Sequence, residues 1–252
     1  MEKLGIYDYQ AEVYSLDFRR QLTMPALVTY LLDAATNHAT GRGFGFDDMA
    51  KQHMLWVLSR LVIDIRDYKK LSGPIRIFTW IDGVDRILTF RCFEIVTHQG
   101  EPVGFARSAW AGINFDTRRP VSLETFGLQA YRVERPCPVT FEKYEIPLDE
   151  SPSIVPYAVR YSDLDMNGHF NSVKYIEALL DLFDIELYRT LTITRFDITY
   201  QAEAFYGMEL TLTKKQISEN EYVTSMHNAE KPICRANVQF QKIVPQQHDT
   251  DR

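Results

Sequence analysis

Apolar residues first recur at a helical interval behind Thr23, where Leu27, Leu31, Ala34 and His38 fall on one face. Thr23 has the side chain of an N-cap, Pro25 suits a first turn, and Gly41, Gly43 and Gly45 end the run. The period then shortens to two. Residues 61–65, 75–81, 88–96 and 103–114 read as strands, punctuated by turn signals at Gly73-Pro74 and Gln99-Gly100. The same alternation of patterns then returns. Val173, Ile176, Leu179, Leu180, Phe183 and Leu187 make a helical face that Tyr175, Ala178 and Leu182 widen, so this second helix should be buried. Residues 193–200, 209–217, 222–227 and 233–243 follow as strands, with Ser218-Glu219-Asn220 as a turn.

The recurrence has a register. A shift of 148 positions lays Asp17 on Asp165 and Leu31-Leu32-Asp33 on Leu179-Leu180-Asp181. Each copy reads as a short extended segment, a polar turn, an apolar helix and several long strands. That order predicts an α+β fold of two tandem units side by side, each an antiparallel sheet wrapped around a long central helix. Residues 1–130 form the first unit and 154–245 the second. Residues 131–153, with Pro136, Pro138, Pro147 and Pro152 among charged residues, form a linker, and 246–252 a polar tail.

Composition narrows the class. The 252 residues give room for two units, and 45% hydrophobic with 25% charged residues is the balance of a globular protein. No apolar stretch approaches the roughly 18–20 residues that span a bilayer. The start, Met1 to Asp8, has no hydrophobic signal core, so the chain reads as cytoplasmic. A net charge of -6 argues against general binding of nucleic acid. The three cysteines, Cys92, Cys137 and Cys234, show no metal or redox spacing; neither a disulfide nor a zinc site is expected, only small buried hydrophobes.

The densest polar run is Tyr161-Ser162-Asp163-Leu164-Asp165-Met166-Asn167-Gly168-His169-Phe170-Asn171, directly before the second helix. In an extended or turning segment Asp165, Asn167 and His169 can project on one side, with Gly168 easing a tight turn. The following helix N-terminus presents free amides where a developing oxyanion is stabilised. A purely structural alternative has Asp165 or Asn171 capping the helix and His169 bonded within a turn. The first copy keeps Asp17 but has Arg19 and Gln21 at the matching positions, which suits one half catalysing while the other helps bind substrate. His38, on the apolar face of the first helix, is expected to be a hydrogen-bonded core residue.

The run from Tyr161 through Asn171 to Val173-Lys174-Tyr175-Ile176-Glu177 resembles the signature of the acyl-ACP thioesterases, a family of two tandem hotdog units. Trp56-Val57-Leu58-Ser59-Arg60-Leu61, Ala109-Trp110-Ala111-Gly112-Ile113-Asn114 and Thr117-Arg118-Arg119-Pro120 are similar to its first half. The resemblance implies release of free fatty acid from acyl carrier protein, ending fatty acid synthesis. It places the catalytic cluster on Asp165, Asn167, His169 and Glu203, with no cofactor and no metal. Plant members often follow the glutamate with a cysteine; this chain has Ala204 there. The implied route is therefore water attack with Glu203 as general base, His169 and Asn167 orienting water or polarising the thioester, and Asp165 fixing the cluster or assisting proton transfer.

An acidic carrier partner would need a local basic patch on this acidic chain, for which Arg19-Arg20, Lys69-Lys70 and Arg118-Arg119 are candidates. Acyl-CoA hydrolysis and a non-catalytic acyl-chain sensor or carrier-binding module are the alternatives. A hotdog dehydratase lacks support, since its His…Phe-Pro-Gly-His run is absent. The acyl pocket is expected in the first half, around its helix and the strand near Trp56. A homodimer stays open, because two fused copies already supply the pairing that single hotdogs make between chains.

Overall fold

The computed structural model describes residues 3–143, 153–229 and 231–243. The first half runs β1 (Gly5–Tyr9), α1 (Met24–Thr40), α2 (Phe46–Ala50), β2 (Met54–Ile65), β3 (Ile75–Val84), β4 (Leu88–Thr97) and β5 (Pro102–Asn114). The second runs β6 (Ser153–Ala158), α3 (Ser172–Leu180), α4 (Ile185–Thr190), β7 (Leu191–Tyr200), β8 (Glu209–Ser218), β9 (Glu221–His227) and β10 (Pro232–Lys242). Among the described residues the strands form one ten-stranded antiparallel sheet, ordered β1-β3-β4-β5-β2-β7-β10-β9-β8-β6. Both halves use the same internal order, and they meet where β2 pairs with β7.

The period-two pattern sorts the faces of that junction. Leu61 lies opposite Ile198 and Ile63 opposite Phe196, all fully buried beneath the helices. Leu27 and Leu31 of α1 join Ile176 and Leu179 of α3 in the same core, each side chain contributing about 1.5–3 kcal/mol by leaving water. The alternate positions face outward and carry charge: Asp64 lies opposite Arg195, and Arg60 reaches Asp197 at 2.6 and 2.8 Å. They are covered too. Residues 132–143 cross this outer face as a strap, from the Ile81 carbonyl on β3 to Arg195 on β7, which donates to the Thr140 carbonyl at 2.8 Å.

The helices begin where their caps predict. Thr23 Oγ1 accepts from the Ala26 amide, and Asn171 Oδ1 accepts from the Val173 amide at 2.8 Å. The second apolar face, expected as one helix through Leu187, is broken after Leu180. Asp184 caps α4 by accepting from the Glu186 amide, and Phe183 turns into an aromatic cluster with Tyr188, Tyr222 and Phe240. Apolar spacing does not sense such a mid-run cap.

The cysteines need a correction. Cys92 on β4 and Cys137 in the strap form a disulfide, with Cα atoms 6.1 Å apart. Their separation of 45 residues carries no motif; the path of the strap brings them together. Cys234 is free and buried, as expected. Among the described residues no helix is long and apolar enough to cross a membrane.

Candidate active site

The polar run before α3 is a turn built on Asp165. Its Oδ1 accepts from the Asn167 amide at 2.8 Å and the His169 amide at 3.0 Å. Its own amide donates to the His169 carbonyl, and its carbonyl accepts from Gly168. Gly168 has φ 76°, the left-handed region that glycine enters at low cost.

The first half repeats this construction. Asp17 Oδ1 accepts from the Arg19 amide at 2.8 Å and the Gln21 amide at 3.0 Å, and Arg20 takes Gly168's place with φ 61°. The aspartate is thus shared because the turn needs it, and what the two turns present differs. In the first half the Arg19 guanidinium folds back on Asp17 and donates to the Leu191 carbonyl. In the second half Asn167 stands exposed at the tip and His169 is half-buried. Asn171, not Asp165, caps the helix.

Glu203 comes from the loop after β7, which a pair of backbone contacts holds beside the turn. The Phe170 amide donates to the Ala204 carbonyl at 2.8 Å, and His169 bridges to Phe205. Glu203 Oε1 then lies 3.5 Å from His169 Nδ1, and the imidazole meets the Phe205 ring edge-on at 5.1 Å. Of the residues singled out from sequence, His169 and Glu203 are therefore brought together. Asp165 supports them through the backbone, and Asn167 sits on the same turn.

A fifth side chain was missed. Arg118 Nη2, from the first half, donates to the same Glu203 oxygen. Arg118 has φ 57° in a turn organised by Asn114, whose carbonyl accepts its amide at 2.9 Å. The residue was visible in the Thr117-Arg118-Arg119-Pro120 run, but as a carrier-facing cation; nothing in its spacing points to Glu203. Two other candidate basic pairs also have internal partners: Arg19 bonds Asp17 and Lys70 bonds Glu101.

Ala204 is fully buried in the core, with its amide donating to the Tyr175 hydroxyl at 3.1 Å. Burial pushes the Cys234 thiol up, away from the reactive thiolate.

A cavity of about 190 Å³ lies between the C-terminal half of α1 and β2–β5, walled by Ala35, Ala39, Phe44, Trp56, Trp110 and Leu128. Trp56 pairs with Gly112 on β5, and two residues further along that strand Asn114 anchors the Arg118 turn. The cavity wall and the turn that carries Arg118 are thus joined through β5.

Two fused hotdog units carrying one imidazole–carboxylate pair define a tandem hotdog protein. The comparisons with known proteins agree and go further. The profile of the acyl-ACP thioesterase N-terminal domain matches residues 6–127, and that of the C-terminal domain residues 147–242. The chain belongs to the acyl-ACP thioesterase family.

It is 28% identical over 236 residues to a chloroplastic oleoyl-acyl carrier protein thioesterase of Coriandrum sativum, covering 84% of this chain and 63% of that one. It is 30% identical over 210 residues to oleoyl-acyl carrier protein thioesterase 2 of Arabidopsis thaliana, covering 75% of this chain and 57% of that one. It thus spans about three-fifths of the length of these curated relatives. The crystal structure of an acyl-ACP thioesterase from Bacteroides thetaiotaomicron superposes with a TM-score of 0.87 at 37% identity, covering 95% of this chain and 98% of that one. The 12:0-ACP thioesterase of Umbellularia californica shares the fold, with a TM-score of 0.86 at 19% identity over 96% and 99% of the two chains.

Proposed function

We propose that this chain hydrolyses the thioester of a fatty acyl group carried on acyl carrier protein, with Glu203 as general base. The observation that carries the reading is the Glu203 carboxylate held 3.5 Å from His169 Nδ1 where the turn before α3 and the loop after β7 meet. Water attacks the thioester carbonyl carbon as Glu203 takes its proton. The tetrahedral oxyanion is met by the exposed Asn167 amide side chain. The C–S bond then breaks, and the departing sulfur receives the proton through Glu203 or His169, leaving a free fatty acid and a pantetheine thiol.

In this reading the two halves divide the labour. The first, residues 1–130, holds the acyl chain and contributes Arg118, which fixes the carboxylate. The second, residues 154–245, carries the chemistry, and 131–153 joins them. Asp165 holds the turn that presents Asn167 and His169.

Thiol release from matched acyl-ACP and acyl-CoA series tests the proposal. Turnover on acyl-ACP should exceed that on acyl-CoA, and Glu203→Gln should lower kcat by about 10²- to 10⁴-fold while the protein stays folded. Full turnover in that variant would remove Glu203 from the chemistry.

A further inference from the structure

One wall of the acyl cavity is out of keeping with a hydrocarbon ligand. Arg91 of β4 lines the cavity and is only 6% exposed. Its neighbours on the inner face are Phe93 and Ile95, both fully buried. Arg91 Nη1 donates to His38 Nδ1 at 3.0 Å and to Thr79 Oγ1 at 3.2 Å. Both partners are neutral. His38 must accept at Nδ1, so its proton sits on Nε2 and is donated to the Lys3 carbonyl at 3.0 Å. Burial and the Arg91 charge hold the His38 pKa down at about 3.

Among the described residues no carboxylate pairs with Arg91. The contrast with other sheltered arginines is sharp: Arg195 has Asp64, Arg60 has Asp197 and Arg107 has Asp82. Burial and the nearby Arg42 lower the Arg91 pKa to about 10, which leaves the group charged at neutral pH. A buried guanidinium with five donors and no counter-charge is costly to keep. A saturated hydrocarbon end pressed against it offers no acceptor to such a group.

The position along the sheet says which part of a ligand meets this group. Arg91 lies opposite Ser108 on β5, six residues before Asn114, which anchors the Arg118 turn. At about 3.4 Å per residue that is roughly 20 Å along β5 from the anchor of the turn whose Arg118 holds Glu203. Ala35, Ala39, Phe44 and Leu128 of the wall suit methylene groups, and Thr36 and Thr89 add two hydroxyls.

We propose that the cavity selects acyl chains bearing an acceptor oxygen near the far end, as a hydroxyl, oxo or carboxylate group, and that Arg91 is the residue that reads it. This specificity rests on the thioesterase reading above. It adds a polar terminus to the substrate class, and it gives a role to a cation in a cavity walled mainly by apolar side chains.

The test compares acyl-ACP substrates of equal length, in a length series, carrying a plain methyl end, an ω-hydroxyl or an ω-carboxylate. For one of the oxygenated chains, kcat/KM should exceed that of the plain chain by about tenfold or more, the effect of one charge-assisted hydrogen bond. Arg91→Met should abolish or reverse that preference. Equal or better turnover of the plain chain at every length would overturn the proposal.

Binding of the corresponding free acids to the wild-type protein, read by fluorescence of Trp56 and Trp110 in the cavity wall, gives the same decision without a variant. Tighter binding of the ω-oxygenated acids supports the assignment, and equal or weaker binding sinks it. If no acyl thioester of any kind releases thiol, the thioesterase reading fails, while the fluorescence comparison still decides the role of Arg91.

Discussion

Arg118 and Glu203 form an ion pair across the junction of the two halves, one from the turn after β5 and the other from the loop after β7. The contact exists only because β2 and β7 pair, so the two units must dock before the carboxylate is placed. Both side chains are more than a third exposed, which limits what the pair adds to stability to between 0 and about 1 kcal/mol. Its value lies in position. Arg118→Ala should lower kcat about tenfold with little change in Tm or KM, since a carboxylate base displaced slightly loses much of its efficiency. Arg118→Lys, which keeps the charge without the planar fork, should restore only part of the rate. An Arg118→Ala enzyme with unchanged kcat would show that Glu203 needs no such anchor.

The paired turns at Asp17 and Asp165 separate scaffold from chemistry. Each aspartate oxygen accepts two amides at matching distances. Asp17→Ala and Asp165→Ala should therefore cost similar stability, about 1–2 kcal/mol by chemical denaturation. Only the second should depress turnover. Asp165→Asn keeps an oxygen able to accept both amides, and is expected to retain most of the wild-type kcat. A collapse of turnover in that variant, with stability preserved, would assign Asp165 to proton transfer instead.

Much of this fold was legible from periodicity because the strands are long and the buried face of each alternates, as at Leu61 and Ile63. The repeat was legible because Asp17 and Asp165 do the same backbone work. The helix break at Asp184 was not, since a single cap outweighs an apolar face that continues through it. Nor was the Cys92–Cys137 bond, which depends on the route of a strap with no periodic pattern. At the site, His169 stood out by local density. Glu203 was reached through the family resemblance, and its partner Arg118, 85 residues away, is defined by the sheet register rather than by any motif.

His38 makes acid sensitivity predictable in sign. Its pKa falls from the ordinary 6.5 to about 3 on folding. Below pH 6.5 the unfolded chain gains a proton at this ring while the folded chain does not, so the stabilising contribution is complete above 6.5 and lost as pH falls towards 3. The full shift corresponds to roughly 5 kcal/mol. His38→Gln offers an acceptor to Arg91 and a donor to the Lys3 carbonyl without titrating. Denaturation curves between pH 3 and 7 should fall less steeply for the variant than for wild type; parallel curves would show that the ring's protonation is not linked to folding.

The choice between water and a cysteine nucleophile follows from where thiols lie relative to His169. Ala204, next to Glu203, is fully buried and packs in the core. Cys234 pairs with Tyr200 and Met226 in the middle of the sheet, and burial raises its thiol out of the reactive range. Cys92 lies beneath the strap on the outer face, bonded to Cys137, with the sheet between it and the helices. No thiol among the described residues is both ionisable and within reach of His169. During steady turnover of acyl-ACP, intact mass measurement should therefore find the enzyme unmodified, and alkylation with iodoacetamide should leave the rate unchanged. Replacing Cys234 by alanine should lower stability by a cavity term while kcat holds. An acyl adduct on any cysteine would redirect the mechanism to a covalent intermediate and reduce Glu203 to a supporting role.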